Sequence, residues 1–241
     1  MQISKTFTIV IPCYNEEQAI SHFESECVHF VENFQREVPS FELQIVIVDN
    51  NSNDNSVALL KKIIQDRTQL KIHLIECASQ GYGAALKAGF RHIHSDYYGF
   101  TDLDGTYPLV EFFKLLQCID QFDLDIISTQ RFSAQTGMPL IRKIGNKFYS
   151  LLVHLLFQTR LEDVCSGMRI FHHRIKDQVL NINENGLDFS IALTALMLRK
   201  RWVYQMQLIK YKERWGSSKL SVISDGIGFL KTLLKYKWKS V

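Results

Sequence analysis

The chain has 241 residues, of which 46% are hydrophobic and 12% aromatic, so it can bury a sizeable core, and wholesale disorder is excluded. Only four prolines occur and no Pro/Gly/Ser-rich linker interrupts the sequence, which predicts one domain over residues 1–241. The net charge is +3, but residues 199–241 hold eleven Lys or Arg and two acids, a net +9 that leaves −6 for the other 198 residues. This basic C-terminal fifth indicates an anionic partner (a phosphate group, a membrane surface or nucleic acid), unless it is a solvated surface with a chance excess of lysine.

Strand and helix patterns alternate along residues 1–130. Strands are predicted at 7–11, 43–48, 71–77, 97–101 and 124–129. Helices are predicted at 17–36, around 57–64, at 84–92 and from Pro108 onward. This alternation with short loops predicts an α/β fold, with a Rossmann-like, mostly parallel central sheet and helices on both faces.

Polar residues follow the predicted strands, where a parallel sheet binds its ligands. They are Asn15 and Glu16, residues 49–54, Gly81 and Gly83, and residues 102–106. Because the carboxyl ends of parallel strands meet at one edge, we expect these residues to gather on one rim of the sheet.

The alternation ends near residue 130. Apolar helical faces are predicted at 148–156 and 189–198, and one or two strands at 203–212. In the last segment, apolar residues from Ile223 to Trp238 follow helical spacing, and lysines recur at every fourth position from Lys231. This amphipathic basic helix is expected either to lie on an anionic membrane or to pack on the core.

The five cysteines are scattered and form no Cys-x-x-Cys pair, which argues against a zinc site or a disulfide framework and fits a reducing cytoplasm. No apolar run reaches the roughly 20 residues of a spanning helix, and no signal peptide is evident. We therefore expect a cytoplasmic protein, with peripheral contact at the cytoplasmic membrane face left open.

Asp102 and Asp104 follow the fourth predicted strand in the run Asp102-Leu103-Asp104-Gly105. Two carboxylates at this spacing can present oxygens to one hard cation. A diphosphate leaving group needs such a cation, because negative charge builds on it as its bond breaks. Asp and Gly also favour tight turns, but the position after a strand favours a metal site.

Three other features have two interpretations each. Asp49 can accept hydrogen bonds from a base or ribose, or it can form a turn or helix cap. Gly81 and Gly83 allow close backbone approach, to a ligand or to a neighbouring strand; a dinucleotide fingerprint is rejected because it needs glycine at Leu86. The loop from Arg214 to Lys219 can hold phosphate oxygens or be an ordinary exposed loop.

These motifs together resemble family-2 glycosyltransferases with the GT-A fold. The family's opening motif is matched by residues 11–16 (IPCYNE) and its second motif by residues 48–54 (VDNNSND). Residues 80–85 (QGYGAA) resemble its glycine loop and residues 102–104 (DLD) its metal motif. The order and spacing agree as well, so the joint match is far more specific than any one motif.

The later motifs are similar to one branch, the dolichyl- or polyprenyl-phosphate sugar transferases. They are residues 104–108 (DGTYP), 163–169 (DVCSGMR) and 213–220 (ERWGSSKL). The resemblance implies a nucleotide-sugar-binding half at 1–130 and an acceptor-side half at 131–241 that ends in the basic helix. It also implies inverting transfer of a hexose from a GDP- or UDP-linked sugar to a polyprenyl or dolichyl phosphate.

The resemblance assigns roles to particular residues. Donor-binding residues would be Pro12, Tyr14, Asn15, Glu16, Asp49, Asn51, Gly81, Gly83, Asp102 and Leu103. Asp102 and Asp104 would hold a divalent cation, Mg²⁺ or Mn²⁺, with Asp104 the stronger ligand, and Arg214 would join them as a catalytic residue. Acceptor or phosphate contacts would come from Arg169, Arg214, Ser218 and Lys219.

The chain departs from the family pattern in one motif and in one predicted helix. Asn50 stands where a second acid is common, which bears on nucleoside contacts. Many relatives carry an acid within the helix at 189–198, where this chain has Ser190 and Ala192, with Asp188 just before it. Many relatives also continue into transmembrane helices.

Three alternatives remain. A transferase of the same fold could act on a saccharide or another lipid-linked acceptor in cell-envelope polysaccharide synthesis, but it would need a general base. A nucleotide-sugar-binding subunit without catalysis is disfavoured by the intact Asp102, Asp104, Arg214 and Lys219. A nucleic-acid-binding module is disfavoured by the alternating sheet and clustered carboxylates, so no nucleic acid partner is expected.

Overall fold

The structure is a computed structural model that describes residues 4–131, 140–216 and 222–238. Its strands are β1 (Lys5–Cys13), β2 (Phe41–Asp49), β3 (Ile72–Glu76), β4 (Tyr97–Phe100), β5 (Ile126–Gln130), β6 (Arg169–His172) and β7 (Tyr204–Leu208). Its helices are α1 (Ile20–Glu37), α2 (Ser56–Asp66), α3 (Tyr82–His92), α4 (Glu111–Gln121), α5 (Leu140–Phe157), α6 (Lys176–Leu180), α7 (Phe189–Lys200) and α8 (Val222–Trp238). Short 3₁₀ turns occur at Thr68–Leu70 and His173–Ile175.

The strands form one sheet in the order β3-β2-β1-β4-β6-β5-β7. The neighbours from β3 to β4 are all parallel, as are β5 and β7, whereas β6 is antiparallel to both β4 and β5. The predicted mostly parallel sheet is therefore confirmed. Strands β6 and β7 come from the second half of the chain, and the organisation as one domain divided near residue 130 stays a prediction.

Helices cover both faces of this sheet, which is why its central strands are apolar on both sides. Along β1, Phe7 and Ile9 belong to the core under α1 and α4, whereas Val10 belongs to the core under α3 and α7. Alternate residues of a strand point to opposite faces, so β1 supplies both cores. The carboxyl ends of β1 to β4 are left at one rim.

The presence of β6 and the first residue of α4 differ from the predicted elements. The four-residue β6 was not predicted, because it is too short to show a period and begins with a charged residue. The helix predicted from Pro108 begins at Glu111, since the preceding turn is closed by bonds of the i to i−3 type, including Glu111 N–H to Pro108 O at 3.0 Å. Of the one or two strands predicted within 203–212, one forms, β7.

The C-terminal helix packs on the core. Phe229, Leu233 and Tyr236 of α8 are buried against α7 and α5, and the Phe229 ring lies 5.6 Å from that of Tyr149. The Tyr236 hydroxyl donates to Glu184 at 2.9 Å. The sequence left open whether this helix lies on a membrane or packs on the core. Its most apolar side packs on the core.

None of the helices within the described ranges is long and apolar enough to cross a membrane.

Candidate active site

The loops after β1 and β2 are bonded to each other at the rim. The Asn15 N–H donates to Ser52 Oγ at 3.0 Å, and Asn15 Oδ1 accepts from the Asn53 N–H at 2.8 Å. The Glu16 N–H donates to Ser56 Oγ at 2.8 Å. Asn15 has a left-handed backbone with φ of 53°, which asparagine tolerates better than most residues. The two predicted donor motifs thus form one connected surface.

Asp49 ends β2 and is buried, with its carboxylate accepting from the Ser52 N–H at 3.2 Å. It also lines a groove of about 340 Å³ that includes Lys61 and Glu76. Asp49 therefore forms the turn expected from its residue type and still borders an open groove. Three further predicted donor residues lie near this rim: Pro12 and Tyr14 are half-buried, and Asn51 is exposed.

Asn50 fastens the loop that follows β3. Its side-chain N–H group donates to the carbonyl oxygens of Cys77 and Ser79 at 3.2 and 2.8 Å. Its Oδ1 accepts from the Gly81 N–H at 2.7 Å. An aspartate could accept the last bond but not donate the other two. The asparagine at this departure from the family pattern thus has a role in holding the loop.

Gly81 and Gly83 make room for the segment before α7. A Cβ at Gly81 would lie 2.2 Å from the Asn185 carbonyl oxygen, and one at Gly83 would lie 2.6 Å from Phe189 Cβ. The φ of Gly81 is also positive, at 134°. These glycines therefore permit close approach of protein to protein, a third possibility beyond the ligand and the neighbouring strand.

Asp102 and Asp104 follow β4, with Leu103 between them directed into the core. Asp104 is buried, and its Oδ1 accepts from the backbone N–H and the hydroxyl of Thr106 at 3.0 and 2.6 Å. Burial, together with the negative charge of Asp104, raises the pKa of Asp102 to about 7. The two carboxylates are thus close enough for the charge of Asp104 to disfavour ionisation of Asp102.

Arg214 reaches this charge from the C-terminal half of the chain. Its Nη1 lies 2.9 Å from Asp104 Oδ2, and its Nη2 lies 2.6 Å from Glu16 Oε1. Backbone bonds fix the same segment: the Trp215 N–H donates to Asp104 O and the Lys212 N–H to Thr106 O, at 2.9 and 3.0 Å. The structure therefore brings Glu16, Asp104 and Arg214 together, although they are far apart in sequence.

Arg169 pairs with Phe100 at the end of β4, close to the rim, but its side chain is not exposed there. Its side chain is fully buried and donates to Ser190 O and Thr194 Oγ1 of α7, each at 2.9 Å. Burial lowers the pKa of Arg169 to about 10. Pairing of β6 with β4 and β5 places this residue inside the sheet, which is at odds with the predicted acceptor contact. Ser218 and Lys219 lie outside the described residues.

Arg131 and Asp163 form an ion pair that was not among the predicted site residues. Arg131 Nε lies 2.6 Å and Nη2 2.8 Å from the two carboxylate oxygens of Asp163, which is fully buried. The guanidinium also lies over the Tyr211 ring, 5.6 Å from its centre. Arg131 directly follows β5, so the rule that singled out polar residues after strands also applies to it.

The residues present fit a divalent cation shared with a diphosphate. Over the described parts of the chain, no three His, Cys, Asp or Glu side chains group as a complete metal site. Magnesium commonly takes only one or two carboxylates and completes its shell with water and substrate phosphates. Because burial and the neighbouring Asp104 raise the pKa of Asp102, a cation bound beside these carboxylates would favour the ionised form of Asp102.

Comparison with known proteins agrees with the resemblance of the sequence motifs to family-2 glycosyltransferases. The model of the family described as "Glycosyl transferase family 2" matches residues 8–180. A dolichyl-phosphate hexose transferase of Haloferax volcanii is 26% identical over 229 residues, covering 94% of this chain and 92% of the relative. The low-salt glycan biosynthesis hexosyltransferase Agl6 of the same organism is 23% identical over 236 residues, which is 96% of this chain.

A third relative is the undecaprenyl-phosphate 4-deoxy-4-formamido-L-arabinose transferase of Salmonella choleraesuis, 26% identical over 217 residues or 90% of this chain. The chain spans 54% of the length of Agl6 and 63% of the length of the Salmonella transferase.

Among solved structures, glucosyl-3-phosphoglycerate synthase of Mycobacterium tuberculosis in complex with UDP superposes with a TM-score of 0.72 at 13% identity, covering 98% of this chain and 82% of that one. A complex of the same synthase with Mn²⁺, UDP and phosphoglyceric acid gives 0.68 at 15% identity, covering 98% and 80%. These likenesses show that the fold is GT-A.

Proposed function

The chain belongs to glycosyl transferase family 2 and is a glycosyltransferase, and from this premise we propose that it moves a hexose from a nucleotide-diphosphate sugar to a polyprenyl or dolichyl phosphate. The observation that carries the proposal is the contact of Arg214 with Asp104 and Glu16. The contact supports the proposal because it joins a cation from residues 131–241 to carboxylates from residues 1–130, where two phosphate-bearing substrates would meet.

On the donor side, the nucleoside lies along the rim formed by the loops after β1 and β2. Asp49 and the groove beside it take the base or ribose. Asp102 and Asp104 would hold a divalent cation, Mg²⁺ or Mn²⁺, which when bound would supply charge stabilisation to the departing diphosphate. Support for this cation comes from the synthase of the same fold, whose solved complexes contain Mn²⁺ or Mg²⁺ with UDP.

The reaction is a direct displacement at the anomeric carbon. An acceptor phosphate oxygen forms the new bond to this carbon, and the bond from the carbon to the diphosphate oxygen breaks, with its electrons leaving on the nucleoside diphosphate. Arg214 offsets phosphate charge through its guanidinium. Inversion at the anomeric carbon is part of the proposal and follows from the family resemblance alone.

The acidic residues beside α7 favour a phosphate acceptor, because they are engaged with α8. Glu184 is paired with Lys235 and accepts from Tyr236, and Asp188 accepts from Thr232 at 3.4 Å, so both acids are engaged with α8. A saccharide hydroxyl would need a general base, whereas a phosphate is already ionised near neutral pH and needs none. This arrangement favours the lipid phosphate over a saccharide acceptor.

A transfer assay tests the proposal. Purified protein is incubated with polyprenyl phosphate in detergent, Mg²⁺ or Mn²⁺, and a panel of UDP- and GDP-sugars, and the organic phase is analysed by mass spectrometry. We expect a glycosylated lipid from one donor, and its loss when the cation is chelated. Cation-dependent donor hydrolysis without a lipid product would mean that the acceptor is another molecule. If the protein forms no product and binds no donor, the enzyme assignment is refuted.

The lipid acceptor requires contact with a membrane, and α5 has a surface suited to this contact. Four large apolar side chains on this helix are 50–66% exposed: Ile144, Phe148, Leu151 and Leu155. Their spacing places them on one side of the helix, in a stripe roughly 16 Å long. Helix α5 has three Lys or Arg and no acid, and the neighbouring α8 has three Lys and one Asp. An apolar stripe on a basic helix pair suits anionic lipid headgroups.

Replacing two residues of the stripe tests this surface. We expect Phe148→Gln with Leu155→Gln to weaken binding to phosphatidylglycerol vesicles by at least about tenfold, because burying two such side chains is worth more than about 1.4 kcal/mol. Vesicle flotation measures the affinity. The control is Phe122→Gln with Val203→Gln, which removes apolar side chains of similar exposure, 58% and 57%, outside both helices. Unchanged flotation of the stripe variant would contradict the assignment.

A further inference from the structure

The segment 163–169 lies against Asp102. A Cβ built on Gly167 would lie 2.6 Å from Asp102 Oδ2 and 3.1 Å from both Oδ1 and Cγ. Carbon and oxygen atoms in ordinary contact are separated by about 3.4 Å or more. The carboxylate of Asp102 therefore rests on the bare Cα of Gly167, and this contact exists only because residue 167 has no side chain.

Gly167 itself is fixed by buried neighbours. Its N–H donates to the hydroxyl of the buried Tyr107 at 2.7 Å. The preceding Ser166 hydroxyl lies 2.6 Å from that of Thr129 at the end of β5. Because these partners belong to the core, the backbone at Gly167 has little freedom to retreat from a new Cβ.

Both ends of the segment are fastened as well. At one end Asp163 pairs with Arg131, and at the other Arg169 donates to α7 through Ser190 O and Thr194 Oγ1. This arrangement gives the buried Arg169 a role that does not require contact with an acceptor. Its guanidinium ties β6 to α7 and so holds the segment in place behind Asp102.

We propose that Gly167 is a positioning residue that seats the carboxylate of Asp102, and that residues 163–169 form the rigid support of this seat. One part of the proposal rests on the proposed function: that the carboxylate held in this position binds the cation of the donor diphosphate. Groups that orient metal ligands typically change metal affinity by about 10–100-fold when they are altered.

A double-mutant cycle tests the seat without using catalysis. The thermal unfolding midpoint is measured for the wild-type chain, Gly167→Ala, Asp102→Ala and the double variant. We expect Gly167→Ala to lower the midpoint in the wild-type background and to lower it far less when Asp102 is alanine, because the clashing carboxylate is gone. The same loss in both backgrounds would overturn the proposal. If Gly167→Ala alone does not fold, recovery of folding in the double variant supports the seat, and failure to recover overturns it.

Manganese binding supplies the second readout. We expect Gly167→Ala to bind Mn²⁺ alone about 10–100-fold more weakly than the wild-type chain, measured by the electron paramagnetic resonance signal of free Mn²⁺. Gly145→Ala is the matched control, because nothing lies within 4 Å of a Cβ at that position. Equal affinity in Gly167→Ala and wild type would overturn the proposal. Absence of Mn²⁺ binding in the wild type, both with and without UDP, would instead count against the cation in the proposed function, and the unfolding cycle would still decide the seat.

Discussion

Asp104→Asn is expected to lower kcat/KM for sugar transfer by about a thousandfold, the loss typical of removing one preorganised charge-stabilising group. Asparagine keeps the shape of the side chain, and its oxygen can still accept from Thr106. What it removes is the negative charge that pairs with Arg214 at 2.9 Å and that would hold the cation. The effect should therefore fall on the chemistry far more than on the fold.

The transfer assay with saturating lipid acceptor measures this loss, and Asp96→Asn is its control. Asp96 accepts from the backbone N–H and the hydroxyl of Thr6 at 2.7 and 2.9 Å, much as Asp104 accepts from Thr106. Asp96 lies before β4, at the opposite end of that strand from Asp104. We expect the control to retain wild-type kcat/KM even if it is less stable. Retention of more than about a third of wild-type kcat/KM by Asp104→Asn would contradict an effect of this size.

Asp163→Ala is expected to lower the free energy of unfolding by about 3–5 kcal/mol, because it leaves the buried cation of Arg131 without its partner. The Asp163 side chain is fully buried and that of Arg131 is 13% exposed, so water cannot replace the lost carboxylate. Urea denaturation measures the change.

Two comparisons separate burial from ion pairing as such. Asp123→Ala breaks a pair of the same 2.6 Å length with Arg174, but the Asp123 side chain is 83% exposed, so its loss should cost far less stability than the loss of Asp163. The double variant Arg131→Met with Asp163→Leu should recover most of the stability, since apolar pairs can replace buried ion pairs. Equal losses in Asp163→Ala and Asp123→Ala would contradict the role given to burial.

Much of the donor side of the site follows from local sequence. Strands β1, β2 and β4 are short apolar runs, and each is followed by polar residues. Once the alternation predicts a parallel sheet, the ends of these strands must share a rim. The structure brings together Asn15 with Ser52, and Glu16 with Asp104 through Arg214. Their functional roles are predictions that the transfer assay and the Asp104→Asn variant test.

The other side of the site depends on contacts that no local pattern encodes. Gly81, Gly83 and Gly167 lie in recognisable motifs, but the residues for which they make room, Asn185, Phe189 and Asp102, are distant in sequence. Arginine usually lies at the protein surface, but Arg169 is buried, because β6 inserts antiparallel between β4 and β5.

The amphipathic helices mark the boundary between the two kinds of information. Apolar spacing by itself determined that α5 and α8 are helices with one apolar side, because this spacing reflects the 3.6-residue turn of each helix alone. Only the tertiary structure decided that the apolar side of α8 is covered by other helices and that, among the described residues, the stripe on α5 is not. Leu233 of α8 is fully buried, whereas Leu155 of α5 is 66% exposed, because α8 packs against α7 and no described element covers the stripe on α5. Burial is a property of contacts between distant segments, and periodicity carries no information about them.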